Sequence, residues 1–277
     1  MTGFDMIADI WPILLISLLL TGVIAGIMAG LLGVGGGIVI VPVLFWIFGL
    51  LHFPAEVSMH IAVGTSLAII IPTSISSMRA HHQRGNVDWS LVKAWGPAIA
   101  IGALLGGLAS KGIDGDILRL VFGVIALLVS INLFRPHTLN LTTDLPNSML
   151  LQRAIGTCIG VLSALMGIGG GTMTVPTMAM FNYDMRRAVG TASAFGLFIA
   201  LPATLGFIWA GLGVEQRPPF SLGYVSVIAA ALIFPITVLA APHGAKLAHH
   251  MNPAKLKKVF AVFLGLTALR MLWSVLS

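Results

Sequence analysis

Charge is scarce in this chain: Asp, Glu, Lys and Arg make up only 9% of 277 residues, where soluble globular domains carry about 25%. With 57% hydrophobic residues and a mean hydropathy of +1.01, the composition is that of an integral membrane protein. Cysteine is rarer still. Cys158 is the only one, so no intrachain disulfide, CxxC redox pair or cysteine-built zinc site can form, and its apolar setting reads as that of a small packing residue. The nine carboxylates (Asp5, Asp9, Glu56, Asp88, Asp114, Asp116, Asp144, Asp184 and Glu215) all fall in or beside loops. The spans therefore lack the intramembrane acid that marks a proton relay. No HExxH, GxSxG, GxGxxG or Gly-Lys-Ser/Thr pattern is present, so no enzyme activity, catalytic residue, metal or cofactor is expected. Lysine and arginine are absent ahead of the first apolar run, which excludes the basic n-region of a signal peptide and predicts that this run stays in the mature protein. The net charge of +6 and pI near 10.0 do not indicate nucleic acid, because the 15 basic residues lie in loops between apolar spans. They read as orientation signals, and the lipid bilayer is the expected partner.

What the chain has is glycine in two matching places. Leu32-Gly33-Val34-Gly35-Gly36-Gly37, followed by Val41-Pro42, recurs as Met166-Gly167-Ile168-Gly169-Gly170-Gly171, followed by Val175-Pro176. Glycine disfavours helix by about 1 kcal/mol per residue relative to alanine, so each run breaks a helix inside apolar sequence. Apolar segments fall at 11–32, 37–50, 57–78, 89–110 and 116–134, then at 150–166, 172–181, 187–210, 221–243 and 255–276. The second of each five is too short to cross, since 14 and 10 residues rise about 21 and 15 Å against a hydrocarbon core of about 30 Å. Each reads as a half-helix starting at its glycine run. An offset of 134 residues also lays Gly22 and Gly26 on Gly156 and Gly160, and Val63-Gly64-Thr65 matches Val189-Gly190-Thr191. The expected fold is all-α and polytopic: two repeats, 1–134 and 150–277, each a glycine-broken helix and half-helix followed by three transmembrane helices, joined by a cytoplasmic linker at 135–149.

The basic loop of the first half joins segments three and four (Arg79, Arg84), whereas those of the second half are the neighbouring loops (Arg186, Arg187; Lys246 to Lys258). One orientation places eleven basic residues inside and four outside, which predicts a plasma-membrane protein with both termini outside and an inverted-topology repeat.

A half-helix beginning at Gly37 or Gly171 leaves its first N–H groups unpaired at the positive end of the dipole, a ready anion site. The predicted site is formed by Gly35, Gly36, Gly37, Gly169, Gly170 and Gly171, with hydroxyls from Thr65, Ser66, Thr172, Thr174, Thr191 and Ser193. The partner is a small anion. Close helix crossing is the competing reading of the glycines, and helix back-bonding that of the hydroxyls.

The paired glycine motif with its Val-Pro, the run Ala62-Val63-Gly64-Thr65-Ser66, and Arg84-Gly85-Asn86-Val87-Asp88-Trp89 resemble the sulfite exporter TauE/SafE family of membrane transporters over nearly the whole chain. The resemblance implies transport of sulfite, organosulfonates or related oxyanions, mostly outward. Ala192 stands where the first half has Ser66, so the halves differ in the hydroxyls they offer. A proton-coupled uptake carrier for a sulfur oxyanion or carboxylate, and an anion channel, are the alternatives. His60 is the candidate for coupling, and Arg79, Arg84, Arg186 and Arg187 for an anion-attracting mouth. His81-His82 and His249-His250 read as solvated pairs in basic loops. The sequence leaves the oligomeric state open, a homodimer included.

Overall fold

A computed structural model of the chain describes residues 3–134, 148–250 and 253–276. Its helices are α1 (Gly3–Leu32), α2 (Gly37–Leu50), α3 (Ala55–His82), α4 (Trp89–Ala109), α5 (Gly115–Phe134), α6 (Met149–Met166), α7 (Gly171–Met180), α8 (Met185–Ala210), α9 (Val227–His250) and α10 (Pro253–Leu276). Every apolar segment of the sequence is a helix, and both half-helices start at their glycine runs. Several boundaries differ from expectation: α1 already begins at Gly3, α3 continues to His82, and both ends of α9 are shifted. The segment expected at 221 opens instead as a two-stranded antiparallel hairpin, β1 (Ser221–Leu222) and β2 (Val225–Ser226), so α9 starts only at Val227. At its other end α9 runs through Pro242 to His250, over positions expected to be loop, because the helix packs along a neighbour there. Of the expected linker, 135–147 lie outside the described residues. Seven described helices are long and apolar enough to cross a membrane, while α2 and the Leu264–Val275 part of α10 are shorter apolar helices. The protein is an all-α polytopic membrane protein.

Local chemistry sets the helix starts. Asp88 caps α4 by accepting from Ser90 N and Leu91 N, Ser148 caps α6 through Leu151 N, and Asp184 caps α8 through Arg187 N. Gly36 precedes α2 at φ 81°, a left-handed conformation that only glycine adopts without strain. Gly167 ends α6 in the same conformation, at φ 66°.

Small residues decide which helices pair. Gly22, Gly26 and Gly30 of α1 lie against Ile236, Ala240 and Ala241 of α9, with the α9 glycine Gly244 against the Ile27 carbonyl. Gly156 and Gly160 of α6 lie against Ala98 and Ile99 of α4, whose Gly102 and Gly106 meet the Thr157 and Val161 carbonyls. These two seams use corresponding residues of the two halves with the roles exchanged, and in both the contacts advance in the same sense along the two helices. Without side chains the backbones come close enough for dispersion and Cα–H contacts to hold them together in lipid. Elsewhere the contacts run in opposite senses. Gly64 of α3 faces Phe207 of α8 while Ser74 faces Gly196, and Gly123 of α5 faces Leu272 of α10 while Ser130 faces Gly265. Hydroxyls tie α3 to α9 along parallel registers, through Thr73 to Thr237 at 2.6 Å and Ser76 to the Val238 carbonyl at 2.8 Å. It follows that α1, α3 and α9 run one way and α4, α6 and α8 the other. Of the corresponding helices, α1 and α6, α3 and α8, α4 and α9, and α5 and α10 are antiparallel.

A Cβ at Gly160 would collide with the Ile99 carbonyl, so Gly160→Val is expected to destabilise the protein by about 1–3 kcal/mol. Gly49, an exposed residue of α2 with open space around it, should accept alanine neutrally or with a small gain. Thermal unfolding in detergent checks both. Equal midpoints for the two variants would remove the close-packed seam.

Candidate functional site

The two glycine turns meet in the buried centre of the molecule. Gly171 N donates to Gly33 O at 3.1 Å. A Cβ on Gly35 would come within 3.2 Å of the Gly169 Cα, and one on Gly37 would collide with the Gly167 carbonyl. The turns interlock backbone to backbone, and the space that glycine leaves free is filled by the opposite turn. Gly36 and Gly170 face their own neighbours instead, at the Ala25 and Ala192 carbonyls. All six predicted site glycines are buried. The difference between Ser66 and Ala192 has a structural counterpart here. The Gly167 carbonyl accepts from Ser66 Oγ at 2.7 Å, while the corresponding Gly33 carbonyl accepts from the Gly171 amide.

The predicted hydroxyls divide by their partners. Thr174 Oγ1 bonds back to the Gly170 carbonyl at 2.6 Å and Ser193 Oγ to the Gly190 carbonyl at 2.6 Å. Both are held locally within the helix. Thr172, in the first turn of α7, is 3% exposed, and its Oγ1 has no hydrogen-bond partner among the described residues. Ser163, on the last turns of the α6 helix that leads into the same glycine turn, is likewise buried with an unpartnered Oγ. A buried hydroxyl left unpaired costs about 1–3 kcal/mol, so both mark places where something polar is wanted. Ser163 gave no sequence signal beyond being a serine in an apolar helix.

Thr65 and Thr191 do something the sequence did not disclose. Thr191 Oγ1 accepts from Asp88 N at 3.0 Å, and Thr65 Oγ1 accepts from Ser226 N at 2.8 Å. Asp88 and Ser226 stand directly before α4 and α9, the fourth helices of the two halves. The glycine before each threonine makes room for the arriving loop, Gly190 beneath the Asn86 carbonyl and Gly64 beneath the Tyr224 carbonyl. Each Val-Gly-Thr thus receives the loop of the other half, at opposite ends of the antiparallel α3–α8 pair.

The two docked loops carry different secondary contacts. At Asp88, Oδ2 accepts from the Tyr183 hydroxyl at 2.5 Å and from Arg187 Nη2 at 3.0 Å, while Oδ1 caps α4. Burial pushes the Asp88 carboxyl up, but Tyr183, the Leu91 amide, Arg187 and the Ser90 amide outweigh it and hold the group below its ordinary value. Burial and the Asp88 carboxylate push the Tyr183 hydroxyl up to about 12. At the other end Tyr224 stacks on His60 with ring centroids 4.6 Å apart. Burial raises the Tyr224 hydroxyl, with Glu56 adding to the shift and Arg217 opposing it.

His60 is 3% exposed, with Nδ1 on the Glu56 carbonyl at 2.8 Å and Nε2 on the Ser110 and Ile113 carbonyls at 3.1 and 2.9 Å. All three neighbours are acceptors, and a neutral ring has a proton for only one of its two nitrogens. Of the predicted mouth arginines, Arg79, Arg84 and Arg186 are exposed at the Asp88 end, Arg84 bonding the Ala80 carbonyl, and Arg187 is engaged with Asp88. His81 is not the solvated residue expected. It is 2% exposed, with Nε2 on the Gly30 carbonyl at 2.7 Å, because α3 continues to His82 and carries it into the α1 contact. His82 is exposed and its Nδ1 accepts from Trp89 Nε1. Cys158, expected as a packing residue, is exposed on α6, and the side chains of His249 and His250 lie outside the described residues. Asp9 lies two turns into α1, ahead of its apolar span, and the other described carboxylates stand in a loop, at an N-cap or in the first turn of a helix.

Residues 18–271 match the sulfite exporter TauE/SafE family. A probable membrane transporter protein of Haemophilus influenzae is 31% identical over 253 residues, covering 91% of this chain and 96% of its own length. One from Methanocaldococcus jannaschii is 29% identical over 262 residues, covering 94% and 96%, and another from Bacillus subtilis is 32% identical over 202 residues, covering 66% and 74%. No solved structure matches the chain. With a family match that runs from α1 into the last turns of α10, and apolar helices that cross a bilayer several times, this chain belongs to the TauE/SafE family and is a membrane transporter.

Proposed function

We propose that this transporter exports a small sulfur oxyanion, sulfite or an organosulfonate, across the plasma membrane by alternating access. The two halves, 1–134 and 150–277, act as inverted-topology repeats with both termini outside and the Asp88 loop at the cytoplasmic face. The single observation that carries the mechanism is the exchanged docking of the two loops, Asp88 N on Thr191 and Ser226 N on Thr65. Each loop is a gate for one side, and both are closed here. Undocking one exposes its Val-Gly-Thr and a route toward the glycine turns, while the other stays shut.

The anion site is placed at the first turn of α7, where the helix dipole favours negative charge and Thr172 offers a buried hydroxyl without a partner. The two turns fill each other's space while both gates are closed, so Gly169, Gly170 and Gly171, and across from them Gly35, Gly36 and Gly37 with Ser66, line the site only once a gate opens. The sulfur chemistry comes from the family. The positions of the carboxylates support efflux driven by the potential, since an anion leaving an inside-negative cell gains about 2.3 kcal/mol per charge per 100 mV. The three acceptors around His60 favour a second reading, in which a proton on this ring couples to opening of the Tyr224 gate.

Thr172→Val removes a hydroxyl that bonds no other group among the described residues, so the melting point should hold or rise. Oxyanion affinity should fall roughly tenfold, the effect of one hydrogen bond to a charged group worth about 1.5 kcal/mol. Thr174→Val serves as the comparison, expected to change affinity little. Unchanged binding of sulfite or a sulfonate by a folded Thr172→Val protein, measured by calorimetry, would move the site elsewhere.

Tyr183→Phe takes one bond from the Asp88 gate without touching the α4 cap. In a Cys158→Ser background, a cysteine at Ser193 should label faster from the Asp88 side in this variant, and one at Val63 more slowly from the other. Indifference of both positions would mean that the loops are not gates. The gate should also be insensitive to pH across the physiological range. Asp88 is held below its ordinary 3.8, so its contribution is complete above that value and fades only as pH falls through the lowered one. Tyr183 contributes below its ordinary 10.0 and is lost as pH climbs toward about 12.

Flux from proteoliposomes should therefore carry net negative charge and rise with an imposed inside-negative potential at fixed pH. If sulfite instead moves electroneutrally with the pH gradient, and His60→Ala abolishes that response, the coupled reading replaces the uncoupled one. If no sulfur oxyanion moves, the substrate assignment fails.

A further inference from the structure

Between the first turns of α4 and α6 lies a cavity of about 460 Å³. Lys93 and Arg153 both line it, together with Gln152, Thr157, Ile101 and Met149. The two helices are parallel, so both cations sit at the same end, each four residues in from its helix start and about 6 Å below it. Neither Lys93 nor Arg153 has a hydrogen bond or ion pair with any described residue, and both are exposed. The wall behind them is ordered, since Gln152 Oε1 accepts from the Nε1 of the fully buried Trp95 at 3.2 Å. Outward the cavity gives onto strongly apolar surface, with Ile101 60%, Met149 65% and Leu105 53% exposed.

A positive-inside signal alone needs no such arrangement, because charges anywhere in the loops would serve it. The other half of the molecule makes the contrast. The α1–α9 seam repeats the packing of α6 on α4, yet Leu18, Leu19 and Ala231 occupy the positions of Gln152, Arg153 and Lys93. The fold builds the seam twice and places charge beside it once.

We propose that this cavity is a binding site for the phosphate of an anionic phospholipid. The Arg153 guanidinium and Lys93 ammonium hold the phosphodiester, and the acyl chains lie along Ile101 and Leu105. A free inorganic phosphate shares the headgroup chemistry, but it has no use for the apolar mouth. The site faces the membrane and is separate from the glycine turns, so it does not depend on the transported substrate.

The test uses the full chain purified in detergent and exposed to equimolar phosphatidylglycerol and phosphatidylcholine, with bound lipid counted by native mass spectrometry. Wild type is expected to retain phosphatidylglycerol in preference. Lys93→Gln/Arg153→Gln should lose that preference roughly tenfold or more, while Lys246→Gln, which removes a charge at the same end but outside the cavity, should keep it. Should the double variant fail to fold, Thr157→Glu, which places a carboxylate in the cavity, is expected to give the same loss. Equal retention of phosphatidylglycerol by the folded cavity variant and wild type overturns the site. If millimolar inorganic phosphate displaces the lipid and raises the melting point of wild type as much as phosphatidylglycerol does, the site takes a free anion and the lipid assignment is overturned.

Discussion

Everything in this molecule is arranged around two stretches of backbone that cannot be helical and cannot reach water. In hydrocarbon each unpaired N–H or C=O costs several kcal/mol, so a helix may break at mid-depth only where something else meets its freed groups. Here each break meets the other. The Gly171 amide serves the Gly33 carbonyl, Ser66 serves the Gly167 carbonyl, and the absence of side chains at Gly35, Gly37 and Gly169 lets the turns come to backbone distance. That requirement fixes the rest. The helices that carry the turns, α1 and α6, run in opposite senses, and each is held by a glycine seam to a helix of the other half, α9 and α4.

The same exchange governs the ends. A glycine followed by a threonine is used twice as a socket, the glycine admitting a carbonyl and the threonine oxygen accepting the amide that precedes a long helix. Both loops reach across to the other half, so neither half is complete by itself at either end. The departures from symmetry carry the information about function. Thr172 has no partner among the described residues, whereas Ile38, its counterpart after the first glycine turn, has no hydroxyl at all. The proposed anion site is therefore one-sided, although the two glycine turns that flank it are alike in sequence.

Segment positions and both half-helices were legible in the sequence because glycine and proline act locally, and the apolar runs between them leave little choice but helix. The glycine contacts were legible only as alternatives, since a glycine that admits a ligand and one that admits a backbone look alike until the opposite wall is known. Thr65 and Thr191 stood out as a matched pair, but their partners Ser226 and Asp88 lie 161 and 103 residues away. No local pattern encodes that distance. The hairpin at 221–226 hid inside an apolar run because Tyr224 and Val225 suit a buried loop as well as a helix. His81 was misread for a related reason: an exposed-looking basic cluster contained the one ring that turns inward to the Gly30 carbonyl.

An alternating carrier needs its two closed gates to be of similar strength, or one of its open states is never populated. With identical Gly-Thr sockets at both ends, any imbalance between the proposed gates must come from the contacts added to them. At the Asp88 end these are a tyrosine hydrogen bond and an ion pair whose Arg187 side chain is 53% exposed, the latter worth about 0–1 kcal/mol. At the Tyr224 end they are a stacked ring on His60, an edge contact with Phe207, the Tyr224 amide on the Phe207 carbonyl at 3.2 Å, and the loop ties from Arg217 to the Val214 and Gly223 carbonyls, each ring contact contributing about 0.5–1.5 kcal/mol. The additions differ in kind but are of the same order. A difference of a few kcal/mol still leaves the minor state populated at the per cent level, within reach of a ligand's binding energy. Strong closure on one side only, as a large apolar interface beneath one loop would give, would have fixed the molecule in a single state.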